Sequence, residues 1–149
     1  MNIKNYTSST PVVNSINKIE HRLTSAGATH IAKMYEQERP VGMIFQISIN
    51  NIPMTFKLPA KANSVFNVLW SAVRRPRPET KNNVKQQADR TAWKILSDWV
   101  DIQVSMIKLD QAEAIEVFLP YAFDGRTNKT LFEKMKESNF KQLTEGVKQ

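Results

Sequence analysis

The residues with the clearest chemical potential form an arginine-proline run, Arg74-Arg75-Pro76-Arg77-Pro78. Proline restricts the backbone, and the unpaired N–H groups at a helix N-terminus favour anions. Three guanidinium groups beside the start of a predicted helix are therefore candidates for binding phosphates. Phosphate contacts confer affinity and salt dependence without selecting a base sequence. The same run is also compatible with a solvated linker between helices or with contact to an acidic protein surface.

Positive charge continues from this run into the next segment. The segment from Arg74 to Lys94 contains seven cations and two acids, Glu79 and Asp89. The segment from Ile95 to Gly125 contains one lysine and six acids. The chain is thus predicted to be electrically polarised. We take the seven cations as a candidate nucleic-acid contact surface, with Trp93 among them as a base-stacking residue if it is exposed. They are Arg74, Arg75, Arg77, Lys81, Lys85, Arg90 and Lys94.

Other chemistries lack the residue types that they require. The absence of cysteine excludes disulfides, thiolate metal sites and cysteine nucleophiles, and it is typical of a reducing cytoplasm. His21 and His30 are the only histidines and predict no metal site. Glycine-rich phosphate loops and nucleophile elbows are missing, so we expect no catalytic residue, no cofactor and no enzymatic activity. The acids of the later segment are expected to form solvated ion pairs, namely Asp98, Asp101, Asp110 and Glu113.

The firmest structural prediction is a β-hairpin that turns at Asn50-Asn51. Apolar residues alternate on both sides of this dipeptide, which tolerates positive φ in a two-residue turn. The turn and the alternation predict one register and one buried face. Pro53 has no N–H to donate, so the third strand is expected at an edge of the sheet. The predicted pairs are Ile49 with Ile52, Ile47 with Met54, Phe45 with Phe56, and Met43 with Leu58.

Helices are predicted on both sides of this hairpin. Thr10-Pro11 is typical of a helix start and Gly27 of a helix end. A short strand follows over residues 29–35, and a second helix runs over residues 61–74 until it reaches the prolines. Residues 11–74 therefore form the αβββα part of a predicted α+β domain, and residues 75–78 break the chain.

A long helix is predicted over residues 79–119 and carries two apolar stripes. We assign the first to the core: Val84, Ala88, Thr91, Ile95, Trp99, Ile102, Met106 and Leu109. We assign the second, beginning at Trp93, to contact with another protein or a second copy through Leu96, Val100, Val104 and Ile107. Residues 112–119 are compatible with a strand as well as with the helix end, and a short helix is predicted over residues 127–137.

Length and hydropathy place these elements in one domain. At 149 residues and 41% hydrophobic content, the chain can bury a core without cross-links. Its first residues lack the apolar centre of a signal peptide, and no stretch approaches the length of a membrane span. We therefore expect a single domain over residues 1–149, located in the cytoplasm and not in a membrane.

Two resemblances add expectations about origin and partners. The arginine run, Arg90-Thr91-Ala92-Trp93-Lys94, Asp98-Trp99 and Val117-Phe118-Leu119-Pro120-Tyr121 together resemble a group of short uncharacterised proteins of tailed phages and prophages. That resemblance implies handling of DNA or RNA, or binding of a host protein, in the host cytoplasm. The order of elements in residues 11–74 resembles double-stranded RNA binding domains, although Ala60-Lys61-Ala62-Asn63 replaces their glycine- and lysine-rich helix start.

Overall fold

The computed structural model describes residues 2–144 and confirms the predicted α+β class. A helix, a three-stranded antiparallel meander in the order β1-β2-β3, a second helix, a long helix and short C-terminal helices follow one another. The elements are α1 (Val12–Ser25), β1 (Ala28–Glu36), β2 (Arg39–Ile49), β3 (Ile52–Pro59), α2 (Ala62–Ser71), α3 (Thr80–Lys108), α4 (Ala114–Phe118), β4 (Phe123–Asp124), β5 (Lys129–Thr130), α5 (Leu131–Glu137) and α6 (Lys141–Thr144).

The hairpin forms in the predicted register. Asn50 and Asn51 have φ angles of 52° and 67°, which are the left-handed values that a type I′ turn requires. All four predicted cross-strand pairs are present, and Pro53 lies opposite Ser48. β3 is the edge strand of the meander, and Phe56 forms a bridge with Ala122. The chain that follows α4 therefore covers part of this edge.

The core lies between the inner face of this hairpin and α3. Phe45 and Phe56 stack with ring centroids 5.4 Å apart, and Phe118 of α4 meets Phe45 edge to face at 5.2 Å. α1 adds Ile16, Ile19 and Leu23, and α3 adds Trp93, Val100 and Val104. Residues from five elements thus share one core.

Hydrogen bonds attach the N-terminal segment to α3. The Asn5 side chain donates to Asp98 at 2.9 Å, and the Asn5 carbonyl accepts from the Thr91 hydroxyl at 2.9 Å. The Ser8 carbonyl accepts from Gln87 at 3.0 Å. Asp98 also faces Lys94, with 3.1 Å between the Lys94 Nζ and the Asp98 Oδ1. The polar side of α3 is therefore an internal contact surface and not only a solvated one.

Several predicted boundaries were wrong, most clearly the end of the long helix at 119. α3 ends at Lys108 because Asp110 adopts a φ of 55°, which no α-helix continues. A capping box between Glu113 and Glu116 then starts α4. Residues 114–118 are accordingly helical, as favoured over a strand, but they belong to a separate helix.

Three further boundaries moved by a few residues. α1 begins at Val12, with Pro11 in the capping position and no side chain that caps the helix. α2 ends at Ser71, three residues before the predicted end. α5 begins at Leu131 rather than at residue 127, because residues 123–130 form a two-stranded hairpin and Thr130 caps the helix.

The assignment of the second stripe of α3 to an interface was wrong, and the assignment of the first stripe to the core was right only in part. Trp93, Val100 and Val104 of the predicted interface stripe have no exposed surface, and the other two members, Leu96 and Ile107, pack against the core. Of the predicted core stripe, Ala88 and Thr91 are buried and Trp99 packs against the core. Ile102 and Leu109 of the same stripe are 55% and 68% exposed. Periodicity identifies apolar faces but does not identify which face meets the sheet, and here the sheet covers the second one.

A pair of substitutions tests which positions of α3 face the core. Val100→Asp places an unpaired carboxylate in the core and should lower the free energy of unfolding by several kcal/mol or prevent folding. Ile102→Asp, two residues away on the exposed side, should change it by less than about 1 kcal/mol. Urea denaturation measures both. Equal destabilisation by the two variants would contradict the assignment.

Asp98 makes stability depend on pH. Burial raises the pKa of this carboxyl, but hydrogen bonds from Asn5 and Lys94, with the charges of Lys94 and Lys4, outweigh burial and lower the pKa below its ordinary value of 3.8. Because the folded pKa is the lower one, the stabilisation is present above pH 3.8 and is lost as the pH falls through the folded pKa. We expect Asp98→Asn to be less stable than the wild type near neutral pH.

The difference in stability between Asp98→Asn and the wild type should become smaller in acid. The difference between the wild-type and Asp98→Asn urea midpoints should shrink as the pH is lowered from about 7 to about 3. The exposed Glu36→Gln serves as the control, since the Glu36 carboxylate forms no ion pair or hydrogen bond in the described chain and lies at no helix end. A difference that stays constant over this range would contradict the role given to Asp98.

Candidate nucleic-acid interface

The arginine-proline run lies in the loop between α2 and α3. Arg74, Arg75 and Arg77 are all exposed, and the Arg77 N–H donates to the Thr80 hydroxyl at 2.9 Å, where α3 begins. Lys81 and Lys85, one helical turn apart at the start of α3, are also exposed. We call these five side chains the basic corner. The structure thus keeps five of the seven predicted cations on one continuous, exposed segment.

The cations of the basic corner have no partners in the described chain. None of the five side chains forms a hydrogen bond or an ion pair with another residue among 2–144. Two acids, Glu79 and Asp89, lie near these cations in the sequence. Asp89 is bound by Arg39, whose Nε donates to Asp89 Oδ2 at 3.0 Å, and this hydrogen bond raises the pKa of the Arg39 guanidinium. Glu79 is the one acid within residues 74–85.

The position of the basic corner at the start of α3 adds further positive character. A helix N-terminus carries a partial positive charge from its aligned peptide dipoles, and α3 is 29 residues long. No acidic residue lies in the first turn of α3, and no side chain caps it. Lys81 is therefore placed where a cation weakens the helix, which indicates that α3 does not need this lysine for stability.

The other predicted members of the surface serve the fold instead. Arg90 donates to the Ser8 carbonyl at 3.3 Å, and Lys94 pairs with Asp98. Trp93 is completely buried and donates its indole N–H to the Pro40 carbonyl at 3.1 Å. Trp93 cannot stack on a base, so its inclusion in the site was wrong, and Arg90 and Lys94 lie outside the basic corner.

An aromatic pair that is not among the predicted site residues lies beside the basic corner. The rings of Phe66 and Trp70 on α2 stack with centroids 5.8 Å apart and planes 12° apart. Both residues are only partly buried, and Trp70 precedes Arg74 by four positions. The sequence does contain a signal for this surface, because residues 62–73 include no charged side chain.

The remaining candidate sites stay dispersed. His21 and His30 are exposed, and no three metal-ligating side chains converge within residues 2–144. Asp101 pairs with Arg22 at 2.8 Å and Asp98 with Lys94, which confirms the expected ion pairs for these two acids. In the part of the chain that the structure describes, no helix has the length and hydropathy needed to cross a bilayer.

Comparisons with protein-family models, with curated proteins and with solved structures find no match to this chain. These comparisons therefore add nothing on origin or partners. What supports a function is the geometry and charge of the basic corner itself.

A substitution at the start of α3 tests whether the basic corner is separate from folding. Lys81→Glu replaces a cation by an anion at the helix N-terminus and creates a favourable pairing with Lys85, so it should raise the free energy of unfolding by about 0.5–1.5 kcal/mol. Lys81→Gln should give a smaller increase. Loss of stability in either variant, measured by urea denaturation, would mean that Lys81 has a structural partner.

Proposed function

We propose that this protein is a small non-enzymatic accessory protein that binds the phosphate backbone of nucleic acid through the basic corner. The observation that carries the proposal is the exposure of five cations without partners. Lysine and arginine side chains release condensed counterions when they neutralise phosphates, and this release provides sequence-independent affinity. Arginine also donates two parallel hydrogen bonds to one phosphate, which lysine does not.

The distribution of charge supports the same proposal. The residues from Ile95 to Gly125 carry an excess of acids, some of which are paired with cations from other elements, as Asp101 is with Arg22 and Asp124 with Lys134. The start of α3 and its end at Lys108 are about 42 Å apart, at 1.5 Å per helical residue. The electric field of such a charge distribution orients the basic end of the molecule toward a polyanion during approach.

The alternative is a protein-interaction module. Of the interface residues first proposed for it, Val100 and Val104 are buried, and Leu96 and Ile107 are partly buried against the core. Association of copies through these residues therefore loses its support. A host protein with an acidic surface remains a possible partner for the basic corner. Phage or mobile-element origin and a place in the host cytoplasm belong to the proposal in either form.

A triple substitution tests the proposed function. Arg74→Ala, Arg75→Ala and Arg77→Ala together should weaken binding of DNA or RNA at low salt by more than tenfold. They should also reduce the slope of log K against log salt by about 2 to 3, because each lost phosphate contact contributes about 0.7 to 0.9. Fluorescence polarisation with labelled single-stranded and duplex oligonucleotides measures both quantities.

The matched control removes the same charge elsewhere. Lys108→Ala, Arg126→Ala and Lys141→Ala change three exposed cations outside the basic corner and should leave the salt slope within about 0.5 of the wild type. Equal weakening by the two triple variants would mean that net charge, not the basic corner, drives binding. No binding by the wild type at low salt would overturn the proposed function.

A further inference from the structure

α2 is an unusual surface helix in this chain. Its ten residues include no charged side chain and no fully buried one, although charged residues make up 23% of the protein. α2 contacts α3, but none of its side chains belongs to the buried core, and Val68 is 42% exposed. Proteins that bind single strands combine positively charged side chains with aromatic side chains on which bases stack. α2 and the basic corner together have this composition.

The aromatic pair on α2 is arranged as a platform. Phe66 and Trp70 are one helical turn apart, and their rings lie nearly parallel at 12°. The Trp70 indole N–H donates to no residue in the described chain, whereas the indole of Trp93 is satisfied by Pro40. Trp70 is thus anchored on one side by Phe66 and keeps a polar edge available.

The platform and the cations are adjacent in the chain. α2 ends at Ser71, and Arg74 follows three residues later, so a ligand on Trp70 lies within reach of the arginine run. A single strand offers phosphates and unpaired base faces at the same time. A duplex offers phosphates, but its bases are stacked inside and cannot meet a ring held on a helix. An acidic protein surface would use the cations but offers no base on which the aromatic pair could stack.

We propose that the basic corner takes single-stranded nucleic acid, with Trp70, supported by Phe66, stacking on an unpaired base while the arginines bind the flanking phosphates. This inference rests on the proposed function and specifies its ligand. It assigns a role to the aromatic side chains of α2, which lie outside the buried core although α2 contacts α3.

The experiment compares strands of equal phosphate number in single-stranded and hairpin-duplex form, titrated by fluorescence polarisation at one low salt concentration. Trp70→Leu should reduce affinity for the single strand about tenfold, in line with the loss of one base-aromatic stack, and affinity for the duplex less than about twofold. Trp70→Phe keeps a ring and should stay within about threefold of the wild type. Phe132→Leu, which removes a ring that is 47% exposed on α5, should change neither affinity.

Tryptophan fluorescence provides a second readout. Oligothymidylate should quench the wild type, and the quenching should disappear in Trp70→Phe, because Trp93 is buried and Trp99 packs against the core. Equal loss of single-strand and duplex affinity in Trp70→Leu, or no loss, overturns the stacking role. The triple arginine variant would still decide the proposed function in that case. Binding of polyglutamate by the wild type, with neither nucleic acid bound, overturns both proposals and indicates an acidic protein partner.

Discussion

The burial of the inner face of α3 against the β2-β3 hairpin is the interaction on which the rest of the structure depends. α1, α2 and the N-terminal segment all contact α3, and Phe118 completes the cluster of rings under it. Burying large apolar side chains contributes roughly 1.5–3 kcal/mol each, so this face outweighs the individual polar contacts around it. Trp93 also fixes the position of α3 on the sheet, because its indole N–H donates to the Pro40 carbonyl at the start of β2.

That attachment determines which part of α3 lies outside the core. The buried residues of α3 run from Ala88 to Val104, and none of the residues 80–87 is buried. The first two turns of the helix therefore extend past the sheet, joined to α2 by the arginine-proline loop. Lys81 and Lys85 of the basic corner lie on this extension, and its three arginines lie in the loop. Its exposure follows from the position of the core and not from any contact that the cations make.

The sequence predicts best what depends on neighbours in the chain. The Asn50-Asn51 turn and the alternation around it both act locally, so register and buried face could be predicted together. The end of α3 could not, because Asp110 takes a positive φ without a glycine or proline to mark it. The internal hydrogen bonds of Arg90 and Trp93 could not be predicted either, since their partners lie 82 and 53 positions away in the sequence. The arginines of the loop were predictable because exposure is the usual state of arginine.

Cations that serve folding in this protein are matched with acceptors. Arg22, Arg39 and Lys94 each hold an aspartate across two elements or along a helix turn. The cations of the basic corner differ, because they have no acceptor in the described chain. They repel one another, and those at the start of α3 interact unfavourably with the helix dipole. Such a cluster lowers stability slightly unless something outside the chain neutralises it. Binding of a polyanion would remove that repulsion, so the same charges that weaken the free protein would stabilise the complex.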